Sequence, residues 1–255
     1  KRYEPFIAYN VGGLVRFTIK GTDKVKQVKL FAIGQDNLVG DITSTISFKT
    51  NGQINKMQTK ITNGTPVVNL VAENGGLKEE TPYYIALPEE KISKGISIIF
   101  TLDDGKSIIK KVKQEINIER AKVYDLGEIV LNPTSAKAFI LKNKVLIDAV
   151  SKTIHGLERY DNGDMNIYEG ENLEKILSFK GTLTIQYNDK LTTLDELQYY
   201  RNVTGLDVQH NKNLAGEIDF NKYPQLTNYI VISFSPLVTK LDISGLKELK
   251  FLSAH

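Results

Sequence analysis

Val203-Thr204-Gly205-Leu206-Asp207-Val208, Leu226-Thr227-Asn228-Tyr229-Ile230-Val231 and Val238-Thr239-Lys240-Leu241-Asp242-Ile243 repeat one phrase, apolar-x-x-apolar-x-apolar. A strand points alternate side chains to opposite faces, so Leu206 and Val208 go inward together while Gly205, Asp207 and Gln209 face out. One such turn of chain cannot bury its own apolar side, so successive turns must stack on one another. The key apolar position moves from 206 to 229, a step of roughly 23 residues, and then to 241, about half of that.

A strand phrase at this period is similar to that of a leucine-rich repeat. Asn211 and Leu214 after the first phrase, and Leu246 and Leu249 after the third, stand where the pattern wants them. Leu249-Lys250-Phe251-Leu252 reads as a last half-phrase, and Leu183-Thr184-Ile185-Gln186 as a first strand. Leu191 to Tyr200 resembles the opening turn of internalin-type bacterial surface repeats. Residues 191–255 are therefore assigned to the repeats. In this register Tyr229 and Val231 point inward, and Ile230 and Ile232 sit outside among Asp207, Gln209, Asp242 and Ser244. An apolar pair ringed by polar positions marks the centre of a contact site. A register slip of one residue is the competing expectation; it buries Ile230 and Ile232 and exposes Tyr229 and Val231. The candidate partner-binding residues are Gly205, Asp207, Gln209, Ile230, Ile232 and Asp242.

Composition narrows the function classes. The chain has 255 residues, 41% hydrophobic and 25% charged, as a soluble globular protein does. A net charge of +3 gives no support to nucleic-acid binding. No apolar run approaches the ~20 residues of a membrane span. Cysteine is absent, which excludes disulfides and thiolate metal sites. Tryptophan, the favourite stacking platform for sugars, is also absent. The first residue is Lys1 rather than Met, which reads as processing or truncation.

The first half reads as strands separated by turns. Leu14 to Ile19 ends at Gly21, Val25 to Ile33 at Gly34, and Ile42 to Phe48 at the hairpin signal Asn51-Gly52. Pro66 to Ala72 and Pro82 to Leu87 are split by Asn74-Gly75-Gly76. Ile96, Ile98, Phe100 and Leu102 alternate, Asp103-Asp104-Gly105 turns, and Ile108, Lys110 and Val112 return. Tyr124 to Leu131 closes the segment at Asn132-Pro133. Strands at this spacing predict an antiparallel β-sandwich over residues 1–133.

Val11 to Lys20 with Val25 to Leu30, Thr81-Pro82-Tyr83-Tyr84-Ile85-Ala86-Leu87-Pro88, Gly95 to Ile98 and Val123 to Ile129 together resemble a fimbrillin-like domain. Such domains occur in surface lipoproteins and pilus subunits of Gram-negative gut and oral anaerobes. The resemblance implies export, a bacterial cell-surface or outer-membrane location, and a lipid anchor upstream of residue 1. Pilus subunits carry a second sandwich where this chain turns to repeats, which departs from strand-exchange polymerisation. Lys106, Lys110, Lys111, Lys113, Arg120 and Lys122 cluster near the return strand. They read as the solvated face of a hairpin, or else as attraction to an anionic surface.

After Pro133 the period changes to helical, with Thr134 or Ser135 as cap and Phe139, Leu141, Val145, Leu146, Val150 and Ile154 as the apolar face. A second helix runs from about Glu171 to Phe179. Residues 134–190 form a helical cap on the repeats. Between the helices, Tyr160 to Glu171 resembles a calcium loop of the EF-hand or dockerin kind. Tyr160 replaces the acid at the first position and Met165 the turn glycine, so the expected state is metal-free.

No catalytic motif stands out. His155, His210 and His255 show no ligand spacing, and Asp195-Glu196 are a poor pair for two carboxyls that must face each other across a substrate. The expectation is thus a mainly β protein with some helix: a β-sandwich, a small helical cap and a short leucine-rich-repeat solenoid. Its expected role is non-catalytic binding or adhesion, with no cofactor and with a protein or glycan partner. The alternatives are a pilus-type subunit and an accessory module of a polysaccharide-degrading system.

Overall fold

The computed structural model describes residues 10–73 and 75–255, so Lys1 and the Asn74 turn position lie outside the described residues. Strand accounts for 44% of the chain and helix for 11%, so it is mainly β. It divides into two compact units, residues 1–138 and 139–255. Residues 134–138 go with the first unit for a concrete reason: Ser107 and Lys137 exchange both backbone hydrogen bonds, at 2.9 and 3.0 Å.

The first unit holds β1 (Gly12–Lys20), β2 (Val25–Ala32), β3 (Val39–Phe48), β4 (Ile54–Thr65), β5 (Val67–Val71) and β6 (Tyr83–Pro88). It continues with β7 (Glu90–Ile92), β8 (Ile96–Leu102), β9 (Ser107–Val112), β10 (Ile116–Ile118) and β11 (Val123–Val130). Strands β5-β2-β8-β9 make an antiparallel sheet, and β11-β1-β6 a second, mixed one. Alternation decides the inward faces: Val15, Phe17 and Ile19 of β1 and Val28 and Leu30 of β2 enter one core with Ile85, Ile98 and Phe100. Phe17 meets Phe100 edge to face, with ring centroids 6.1 Å apart. The expectation of a wholly antiparallel arrangement is corrected: β11 lies parallel to β1, from Leu14↔Val123 to Lys20↔Val130. Strand β4 lay hidden in the sequence. It pairs with β3 as a two-stranded ribbon around Gly52, whose φ of 80° suits a residue without Cβ.

The second unit starts with β12 (Ile140–Leu141), α1 (Lys144–Ser151), β13 (Met165–Asn166) and α2 (Asn172–Ser178). It continues with β14 (Gly181–Thr184), β15 (Val203–Asp207), β16 (Ala215–Asp219), β17 (Tyr229–Val231), β18 (Leu237–Asp242) and β19 (Phe251–Ser253). The long first helix is corrected to a shorter one. Pro133–Ser135 is a 3-10 turn held by the Asn132 side chain, and β12 pairs with β13. Asn143 then caps α1 by accepting from the Leu146 N–H at 3.2 Å. The Glu196 carboxylate takes the N–H groups of Lys142 and Asn143 at 2.8 and 2.9 Å, which fixes where the helix can begin.

Strands β14-β15-β17-β19 form a four-stranded parallel ladder. Its register aligns Leu183, Leu206, Ile230 and Leu252. Backbone bonds carry the ladder past the strand ends, from Ile185 N to Asp207 O, Val208 N to Val231 O and Ile232 N to Ser253 O. The phrase at 238–243 belongs to a different ladder, in which β18 runs parallel to β16 and Leu241 faces Ile218. The half-step in the sequence thus marks a strand of a separate two-stranded sheet.

Candidate functional site

The first three strands of the ladder turn one set of side chains into the core, while Leu252 on the edge strand β19 is exposed. Leu183, Ile185, Leu206 and Val208 are buried, as are Ile230, at 0% exposure, and Ile232, at 4%. This corrects the assignment of Ile230 and Ile232 to the outer face: the register is the slipped one, and Tyr229 and Val231 face out. Asp242 is corrected as well. It lies on β18, opposite Asp219, and so cannot belong to the row that holds Asp207.

The outer face is built in rows across the strands. The first row runs Thr182, Gly205, Tyr229 and Phe251, and the second Thr184, Asp207, Val231 and Ser253. Gly205 is buried although it points outward. A Cβ there would lie 3.2 Å from Tyr229 Cε1 and 2.7 Å from Thr182 Oγ1, so the Tyr229 ring lies beside a position that only glycine leaves open. Asp207 and Gln209 are half-exposed. The Asp207 carboxylate accepts from the Gln186 amide at 2.6 Å and the Gln209 amide at 3.3 Å, which orders a small polar patch. Sequence reading placed Gly205, Asp207 and Gln209 on this face, put Tyr229 and Val231 there in its competing register, and missed Gln186.

Beyond the rows the chain turns a corner, and there it carries an aromatic stack. Tyr187 and His210 lie 4.4 Å apart between centroids at an angle of 9°, and His210 and Phe234 lie 4.3 Å apart at 8°. His255 closes on Phe234 edge-on at 5.1 Å. Tyr187, His210 and Phe234 all have left-handed φ, of 54, 58 and 57°. Bulky residues seldom sit there, and each costs on the order of 1–3 kcal/mol. The ladder enforces the corner, because His210 N donates to Ser233 O and Phe234 N to His255 O at 2.9 and 2.8 Å. Under it lies Asn211, fully buried, whose amide donates to Ile185 O and Val208 O at 2.7 Å each and whose Oδ1 accepts from Asn188 N at 2.9 Å.

The remaining sequence candidates are placed elsewhere. Asp242 accepts from the Ser244 N–H at 3.0 Å, and bonds from Ser244 and Asn221 hold its carboxyl down at about 2. In the loop 160–171 the polar groups turn on one another: Asn162 Oδ1 accepts from Asp164 N, and the Asn162 amide donates to Asp164 Oδ2. Met165 is buried where a calcium loop needs glycine, so these residues do not fit a calcium ion. Among the described residues, no group of three or more His, Cys, Asp or Glu side chains is arranged to hold a metal. Asp195 accepts from the Thr193 hydroxyl at 2.8 Å, while the Glu196 oxygens are occupied by backbone N–H groups. In the first unit, Lys106, Lys110, Lys111, Lys113 and Lys122 are exposed, with Lys106 paired to Asp104 at 2.7 Å and Lys122 to Glu119. Among the described residues, no helix is long and apolar enough to cross a membrane. Comparison with protein-family models and with curated proteins returned no match.

Proposed function

We propose that the chain is a non-catalytic binding protein of the bacterial cell surface, with a fimbrillin-like β-sandwich as stalk and a short leucine-rich-repeat solenoid as recognition module. The observation that carries this is the outer face of the parallel ladder. There, side chains of equivalent positions form rows of mixed character: Tyr229 and Phe251 in one, Asp207 and Val231 in the next. Such rows set aromatic and polar side chains in line along one surface, which suits an extended partner. Asp195 and Glu196 are taken up in structural bonds, which favours binding over hydrolysis. The step from Leu206 to Ile230 to Leu252 falls within the period of leucine-rich repeats and supports the solenoid.

A glycan and protein array probed with the chain, followed by Asp207→Ala and Tyr229→Ala, tests the proposal. Binding lost with either substitution, and retained when Lys110 or Lys111 is changed, is the expected outcome. Binding insensitive to every outer-row substitution overturns it.

A further inference from the structure

The aromatic corner extends the proposed function to a ligand class, on the premise that the ladder face is a recognition surface. Tyr187 is the terminal ring of the stack. One of its faces lies on His210, and its side chain is nonetheless 72% exposed, the highest value among the large apolar and aromatic side chains in the described residues. Among the described residues, no second ring stacks on it. A tyrosine held at φ 54° with its ring in water costs conformational energy and leaves apolar surface wet, and neither is repaid by burial.

The surroundings of Tyr187 set the chemistry of what would cover that face. Thr184, Gln186, Asp189 and Lys190 are all exposed, so no apolar pocket surrounds the ring as a protein hot spot requires. Gln186 and Gln209 each give one amide N–H to Asp207 Oδ2, which leaves a second N–H and the carbonyl oxygen of each to face a ligand. Asp189 is paired with Lys212 at 2.7 Å, and Asp207 and Lys190 add one charge of each sign, so the patch carries no net charge. A flat ring face with a negative quadrupole beside amide donors and acceptors matches a ligand with a C–H face and several hydroxyl groups. A patch without net charge gives an anion no advantage over a neutral ligand. We infer that Tyr187, with Gln186, Asp207 and Gln209, is a stacking subsite for a neutral pyranose ring of a glycan chain.

Saturation-transfer NMR on the full chain decides this, with neutral gluco-, manno-, galacto- and xylo-configured oligosaccharides as probes. At least one series should show transfer to its ring protons. Tyr187→Ala should weaken that binding by about tenfold or more, while Tyr187→Phe keeps it. Tyr187→Ala leaves the His210–Phe234 stack in place, and an unchanged melting temperature excludes unfolding as the cause. No transfer from any series, or binding untouched by Tyr187→Ala, overturns the inference. A protein ligand lost with Tyr229→Ala but not with Tyr187→Ala overturns it too, and leaves the recognition face standing. Sugar binding lost only with Tyr187→Ala, with Tyr229→Ala neutral, supports the subsite and counts against the wider face.

Discussion

Asn211 is a buried amide with every polar atom used, and its equivalent on the next strand is Ser235. Ser235 is 8% exposed, and among the described residues its Oγ has no partner. Asn211→Ala strands carbonyls in the core and should cost roughly 1–3 kcal/mol, whereas Ser235→Asn should gain about 1 kcal/mol by extending the amide row. Chemical denaturation of both variants checks the pair; a destabilising Ser235→Asn contradicts the equivalence. Tyr223 gives stability a second dependence, on pH. Its hydroxyl donates to Leu194 O at 2.9 Å, and burial, with help from Asp195 and Asp219, pushes its pKa up to about 12. The unfolded chain loses this proton near 10 while the folded one keeps it. The contribution is therefore complete below 10 and is lost as pH rises to about 12. Stability measured from pH 9 to 12 should fall more steeply in the native chain than in Tyr223→Phe. The Asn211 position was legible in the sequence. The aromatic corner was not, because Tyr, His and Phe give no sign that their backbone will be left-handed.

Among elements, the most legible was β1, whose side chains alternate cleanly with a period of two. The ribbon strand β4 escaped notice because Lys56, Gln58, Thr59 and Lys60 dilute its apolar positions and it pairs with β3 alone. The register of β17 was misread for a related reason. Successive ladder strands are not evenly spaced, and Leu226, three residues before Tyr229, imitates the template one place early. The observed register has a measurable consequence. Ile230→Asp puts a charge into the core and should destabilise the unit by at least about 3 kcal/mol, while Val231→Asp should change stability by less than about 1. Equal effects in thermal melts would restore the other register. For the loop 160–171, titration calorimetry with millimolar calcium should show no specific heat, since Tyr160 and Met165 stand at the first and sixth positions. A one-site isotherm abolished by Glu171→Gln would contradict it.

For the whole molecule, the sequence placed a boundary at Pro133 because the period changes there. The structure divides the chain after Ala138, since Lys137 is stitched to Ser107 through backbone bonds that no side-chain pattern advertises. A fragment ending at 138 should melt higher than one ending at 133, by the loss of about 1–2 kcal/mol of hydrogen bonding in the shorter one. Identical melting would remove the bridge from the domain's stability. Residues 139–190 and 191–255, assigned to separate domains from sequence, fall in one compact unit. The parallel pairing of β1 with β11 has a mechanical consequence. Chain direction brings the first unit in through the start of β1 and out through the end of β11, and the two strands lie side by side from Leu14↔Val123 to Lys20↔Val130. Tension on the two ends slides them past each other along their length. The ladder bonds then share the load and must fail together, where an antiparallel pair would unzip one bond at a time. Strand β6 clamps the other edge of β1 and must yield as well. Pulled at residues 10 and 131, so that the Lys137–Ser107 bridge carries no load, the unit should rupture in a single high-force event, and gradual peeling in an optical trap would show that the clamp does not hold.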